Sequence, residues 1–152
     1  MANSVKESLL EAVKAAMRAG DKRRLATLRS ATAAIKQREV DERIDLSEDD
    51  ALAIDCLAKA VKQRRESAQQ YRDAGEQERA EAEEQEIAVL NEFLPEAATQ
   101  EEIDELVEGA IQESGASSVK EMGRVMGLLK PRLQGRADLS QVSATVKARL
   151  GQ

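Results

Sequence analysis

This sequence repeatedly sets a hydroxyl residue three positions ahead of a glutamate and follows the pair with apolar residues at helical spacing, as at Ser4-Val-Lys-Glu7, Thr99-Gln-Glu-Glu102 and Ser118-Val-Lys-Glu121. A helix begins with four amides that lack partners. In this pattern the hydroxyl accepts from one of them and the glutamate returns to the cap's own N–H. Asp21 and Asp138 stand ready for the same service, and Ser47-Glu-Asp-Asp50 opens another helix with acids in its first turn, where the helix dipole favours them. No stretch alternates with the period of two that a half-buried strand needs. Aromatic residues make up only 1% of the chain, so the core must come from Leu, Val, Ile, Ala and Met. With 34% charged residues, that is the composition of stacked amphipathic helices. The expected fold is all-α.

The stripes place the helices. Val5, Leu9, Leu10, Val13 and Met17 form the first, stopped by Gly20. Asp21 starts a second, which runs through Leu25, Leu28, Thr32 and Ile35 to about Arg43. Ser47 starts a third, through Leu52, Ala53, Leu57, Ala60 and Val61 towards Tyr71 and Gly75. The second and third are long enough to predict an antiparallel hairpin of the two. A fourth, about Gln77 to Phe93, opens as an acidic face expected to be solvated and turns apolar at Ile87, Val89 and Leu90 before Pro95 ends it. The boundary is expected at Pro95–Ala98, giving an N-terminal helical domain over 1–95 and a small three-helix C-terminal domain over 96–152. In the latter, Ile103, Leu106, Val107, Ala110 and Ile111 form one stripe, closed by Gly115. Met122, Val125, Met126 and Leu129 form the next, and Leu139, Val142, Val146 and Leu150 the last.

Charge narrows the function. The net of −6 hides a strong asymmetry: residues 1–75 carry +2, residues 76–108 carry −12, and residues 109–152 carry +4. The acidic total therefore does not argue against a polyanionic partner. The single Cys56 excludes an intrachain disulfide or a cysteine metal cluster, fits a reducing compartment, and is expected as a small buried thiol. No run of 18 apolar residues and no signal-peptide pattern occurs, so the expectation is a cytoplasmic chain without a membrane partner. There is no histidine, no GxxxxGK[ST] loop and no GxGxxG turn, and the carboxylates of 76–108 lack an apolar setting that would tune a catalytic pair. No catalytic residue, metal site or cofactor is expected. Tyr71 and Phe93 are too few and too far apart for a base-stacking platform.

The stretch GASSVKEMGRVMGLLKPRLQGRAD, residues 115–138, stands out. It concentrates Lys120, Arg124, Lys130, Arg132 and Arg136 against only Glu121 and Asp138, and it holds four of the eight glycines (Gly115, Gly123, Gly127, Gly135) and one of the two prolines, Pro131. Basic side chains gathered with glycines present a surface to a polyanion. Gly123 and Gly127 lie one turn apart inside a helix, where each costs about 1 kcal/mol relative to alanine. Two explanations stay open: a tight helix–helix crossing, or close approach of an RNA backbone. Pro131 is expected to end or kink the helix near Lys130. Arg136, beside the turn into the last helix, is either a phosphate contact or one half of a salt bridge. Lys62, Arg64 and Arg65 are weaker candidates for RNA, with acids nearby to pair with them.

MGRVMGLLKPRLQGRAD, together with LRSATAAIKQREVDER and VKQRRESAQQYRDAGEQERAEAEEQEIAVLNEFLP, resembles the GatB/YqeY family: small helical YqeY-like proteins and the tail domain of the B subunit of tRNA-dependent amidotransferases. The likeness extends over the whole chain. It implies the helical fold and an association with tRNA or another structured RNA, for which Lys120, Gly123, Arg124, Gly127, Lys130, Arg132, Gly135 and Arg136 of the basic stretch are the candidate binding residues. It also brings a family-level label of carbon–nitrogen ligase activity with glutamine as amido donor. The family's amidase signature, Gly-Gly-Ser-Ser, and the large catalytic cradle of the B subunit are both missing from this sequence. The expectation is therefore a non-catalytic, monomeric RNA-binding module. Two alternatives accompany it: an accessory subunit that acts only with amidotransferase partners, and a protein-interaction adaptor whose acidic helix, through Glu83, Glu84 and Glu86, docks a basic partner.

Overall fold

Where the caps and stripes lie, helices form. A computed structural model describes residues 3–151 and contains, among them, seven α-helices and two single 3-10 turns, with no strand. The helices are α1 Val5–Ala19, α2 Lys22–Glu42, α3 Asp50–Asp73, α4 Gln77–Asn91, α5 Gln100–Ser114, α6 Met122–Leu133 and α7 Leu139–Leu150. The chain divides into two compact units, residues 1–94 and 95–152.

In the first unit, Ser4 and Glu7 close the capping box of α1, and Gly20 ends that helix at φ +69°, a left-handed conformation that glycine adopts without a Cβ clash. Asp21 then caps α2, its carboxylate accepting the Arg24 amide. The apolar side of α1 is narrower than its sequence implies. Leu9 and Ala16 are fully buried with Val5, Ala12 and Val13 packed around them, whereas Leu10 and Met17 are 44% and 54% exposed. The positions i, i+4, i+7 and i+11 from Val5 face the core, and Leu10 and Met17 lie off that line. The core joins Leu9 to Leu28, Ile35, Leu46, Leu57, Val61, Ile87 and Leu90. Each fully buried leucine of this kind contributes on the order of 1.5–3 kcal/mol. Cys56 lies among them, and burial pushes its thiol pKa up, away from reactivity.

Three features differ from the expectation. The cap of α3 is Asp49, which accepts the Leu52 amide; Ser47 instead belongs to a 3-10 turn, Leu46–Glu48, with its amide and hydroxyl both bonded to Asp45. An aspartate directly before the helix outcompetes a serine two residues earlier because its carboxylate reaches the first-turn amides. Next, α2 and α3 do run antiparallel, with Arg38 against Asp55 and Ser30 against Arg64, but α3 pairs more extensively with α4. These two helices fold back on each other through a turn at Gly75 (φ +77°). Finally, the acidic opening of α4 is not simply solvated. Ala80 is buried against its neighbours, Arg64 of α3 pairs with Glu83 and Glu86, and Arg72 pairs with Glu84. Arg64 also donates to Ser30 of α2. The carboxylates of α4 and the cations of α3 fasten the hairpin that sequence periodicity alone could not register.

In the second unit, α5, α6 and α7 enclose Val107, Ala110, Val125, Leu129, Leu133, Val142 and Val146. Thr99 caps α5 by accepting the Glu102 amide, but the returning half of the expected box is diverted, as Glu102 turns its carboxylate to Arg136. Gly115 closes α5 at φ +68°.

Candidate nucleic-acid interface

The basic stretch builds its helix in two steps. Glu121 accepts the amides of Ser117 (2.6 Å) and Ser118 (3.3 Å), bonds that hold its carboxyl below the usual carboxylate range. A 3-10 turn over Val119–Glu121 then leads into α6. Val125, Leu129 and Leu133, one turn apart, are fully buried. The opposite face, at the spacing i, i+4 and i+7, is Gly123, Gly127 and Lys130, all exposed, with Lys120 one turn earlier. A Cβ built on Gly123 or Gly127 would meet nothing within 4 Å. A helix crossing within this unit therefore does not account for the two glycines. They leave a strip of bare helical backbone facing outwards.

Of the two expectations for Pro131, ending the helix is not what the structure shows. It sits inside α6, which continues to Leu133. Proline has no N–H, so the Gly127 carbonyl lacks the amide that the helical ladder would normally supply. The cost is tolerable near a C-terminus, where the ladder is about to stop.

The five cations of the stretch divide by what holds them. Lys120 and Lys130 are exposed and make no hydrogen bond or ion pair among the described residues. Arg124 donates one bond to the Ser114 carbonyl at the end of α5 (3.3 Å), leaving most of its donors available. Arg132 lies 3.7 Å from Glu113, both half-exposed, a loose surface pair. Arg136 is committed. Its Nε donates to the Glu96 carbonyl (2.9 Å), its Nη2 to Glu102 (2.6 Å), and its own carbonyl accepts the Ala98 amide (2.8 Å). Gly135, at φ +77°, makes the turn that presents it. Of the two roles open to Arg136 in the sequence, the structure supplies the salt bridge. Asp138 accepts the Ser140 amide at the start of α7, so the amides beside Arg136 do not offer a vacant phosphate seat.

The sequence as a whole was compared with known families, and the YqeY-like protein model matches residues 6–150. The chain belongs to the YqeY-like protein family. No curated protein matches it at a significant level. Family membership covers both units, so the α6 face is part of a YqeY-like chain and not of an unrelated appendage.

The weaker candidates on α3 offer less to a polyanion. Arg64 is occupied by Glu83, Glu86 and Ser30; Lys62 is half-buried; Arg65 is exposed. Tyr71 carries Arg79 over its ring at 5.9 Å. A shallow groove in the second unit, lined by Asp104, Glu105, Glu108, Gly109, Gln112 and Arg149, is acidic and would repel phosphate. Among the described residues no group of three His, Cys, Asp or Glu side chains could hold a metal ion, and no helix is long and apolar enough to cross a membrane. Two points escaped the sequence reading. One was that Pro131 would sit within the helix and leave the Gly127 carbonyl without its helical amide, for which the Gly127–Pro131 spacing of four was the available signal. The other was the use of Glu102 as partner to Arg136, which nothing local to either residue announces.

Proposed function

We propose that this YqeY-like protein is a non-catalytic RNA-binding module, with tRNA as the first candidate, and that it contacts RNA through the outward face of α6. One observation carries the reading: Lys120 and Lys130 stand without partners on either side of two glycines that have no neighbour within the unit. Unpaired ammonium groups attract phosphate, and a bare backbone strip lets the polyanion come close enough to use them. Arg124 extends the positive edge, and Arg132 can exchange its loose glutamate for phosphate. Arg136 and Gly135 support the site by holding the turn behind it, and they are not counted among the contacts.

On the adaptor alternative, a basic partner would have to displace Arg64 and Arg72, which pair with Glu83, Glu84 and Glu86. The test is titration of unfractionated tRNA against the wild-type chain and a Lys120→Ala/Lys130→Ala variant over a range of salt. With about three phosphate contacts the log–log slope should be roughly −2 to −3, and losing two lysines should flatten it by about 2. Both lysines are exposed and alanine favours helix, so the variant should keep its helicity. A folded double variant that binds tRNA as tightly as the parent, or a parent that does not bind tRNA, would defeat the proposal.

A further inference from the structure

Resting on the RNA reading just given, the same face also indicates which form of RNA it fits. We infer that α6 docks on double-helical RNA, lying along the shallow minor groove, with the Gly127 carbonyl accepting a hydrogen bond from a ribose 2′-hydroxyl. Lys120 and Lys130 are ten positions apart in the sequence. Lys120 lies in the 3-10 turn that leads into α6, and from Gly123 to Lys130 the helix rises about 10 Å. Between the two lysines the surface is glycine backbone with no side chain to fill it.

Each class of nucleic acid demands something different of such a surface. Single-stranded RNA is held by stacking its bases on aromatic rings or guanidinium planes. The only two aromatic residues of the chain, Tyr71 and Phe93, both lie in the first unit, so stacking on the second would fall to Arg124 and Arg132, each turned towards α5 by Ser114 and Glu113. A helix that reads duplex DNA enters the major groove and projects side chains to the base edges. On α6 the central positions that would do so are Gly123 and Gly127. Duplex RNA presents a wide, shallow minor groove lined with 2′-hydroxyls and edged by phosphates, and it is recognised by shape and by contacts to those groups. A smooth helical strip with a cation towards each end matches that groove. The lysines reach the flanking phosphates, and the glycines let the backbone descend between them.

Pro131 supplies the independent chemical cue. By removing the amide that would have bonded to the Gly127 carbonyl, it leaves an acceptor on the exposed strip, between the two lysines in sequence. Phosphate oxygens are acceptors only and cannot satisfy it. A 2′-hydroxyl is a donor as well as an acceptor, and DNA has none.

The experiment compares three probes of one sequence, a blunt RNA duplex of about 16 base pairs, the DNA duplex, and one RNA strand alone, each against the parent chain and a Pro131→Ala variant. Alanine restores the missing amide and favours helix, so the variant folds. The parent is expected to bind duplex RNA most tightly, the single strand more weakly, and duplex DNA roughly two- to tenfold more weakly, the range of one hydrogen bond. Pro131→Ala should bring the RNA-to-DNA ratio towards one while leaving the salt slope unchanged, because no phosphate contact is lost. If the single strand binds as well as the duplex, the duplex inference falls while the RNA-binding proposal stands. If duplex RNA and DNA bind equally, or if Pro131→Ala leaves their ratio intact, the 2′-hydroxyl contact falls. If no RNA probe binds in a Lys120- and Lys130-dependent manner, the underlying proposal falls with it.

Discussion

Replacing Gly123 and Gly127 together by alanine should make this protein more stable and worse at binding RNA. Both glycines lie within α6, and a methyl group on either meets open space, so no overpacking opposes the change. Neither residue has a positive φ, so alanine adopts its backbone without strain. The helix-propensity difference between glycine and alanine is about 0.8–1.0 kcal/mol per site, which gives roughly 2 kcal/mol for the pair. In a chain of this length 1 kcal/mol moves Tm by about 2–4 °C, so the expected rise is about 4–8 °C. Thermal unfolding followed by circular dichroism measures it, with urea midpoints at constant m-value as the second readout. RNA affinity measured on the same samples should fall, as two methyl groups hold the ligand off the backbone. An unchanged or lower Tm would mean that these positions are packed or strained after all. A higher Tm with undiminished RNA binding would mean that the strip is not the contact surface.

Other changes test the frame around this site. Arg136→Ala should lower stability by about 1–2 kcal/mol through loss of the bonds to Glu96 and Glu102, and speed hydrogen exchange at the Ala98 amide; Lys at this position should not restore it, since a point charge cannot reproduce the two-directional fork. Arg43→Gly should raise stability by about 0.5–1 kcal/mol in urea unfolding, because Arg43 holds φ +54° at the end of α2 and its side chain is exposed. Asp45 is held well below its usual range, to about 2, by hydrogen bonds from the Ser47 hydroxyl and amide and by Lys6. A depressed carboxyl stabilises the fold above its unfolded value and loses that contribution as pH falls through the folded one, so urea midpoints should drop between about pH 4 and pH 2, less steeply in Asp45→Asn.

How far the sequence reached depended on whether the signal was local. Caps and stripes are local, and they yielded the helix class, the stops at Gly20 and Gly115, and the buried valines and leucines of α5 to α7. Cross-helix register is not. Nothing in the spacing of α2, α3 and α4 reveals that Arg64 meets Glu83 and Glu86, so the acidic run read as a solvated face and the packing of α4 along α3 went unseen. Leu10 and Met17 were misplaced for a related reason: apolar residues on the border of a stripe go inside only if a neighbour lies over them. The dilemma of Gly123 and Gly127 could not be decided from their own identities. It needed the knowledge that no other helix of the unit comes near.

That last fact shapes the argument about function more than the charge does. Surface lysines are common, and the two on α6 would carry little weight on their own. What sets this face apart is that the sequence breaks a local rule three times within nine residues, at Gly123, Gly127 and Pro131, with no packing gain in return for the glycines. Where local propensity, packing and capping otherwise agree along a chain, the place where they disagree is where something outside the chain is expected to make up the difference. The buried side of α6 obeys the rules, with Val125, Leu129 and Leu133 in full contact, so the helix is held firmly from behind while its front is left thin. On the RNA-binding proposal, that front receives a partner recognised by surface and backbone chemistry, and Lys120 and Lys130 supply the charge that its phosphates require.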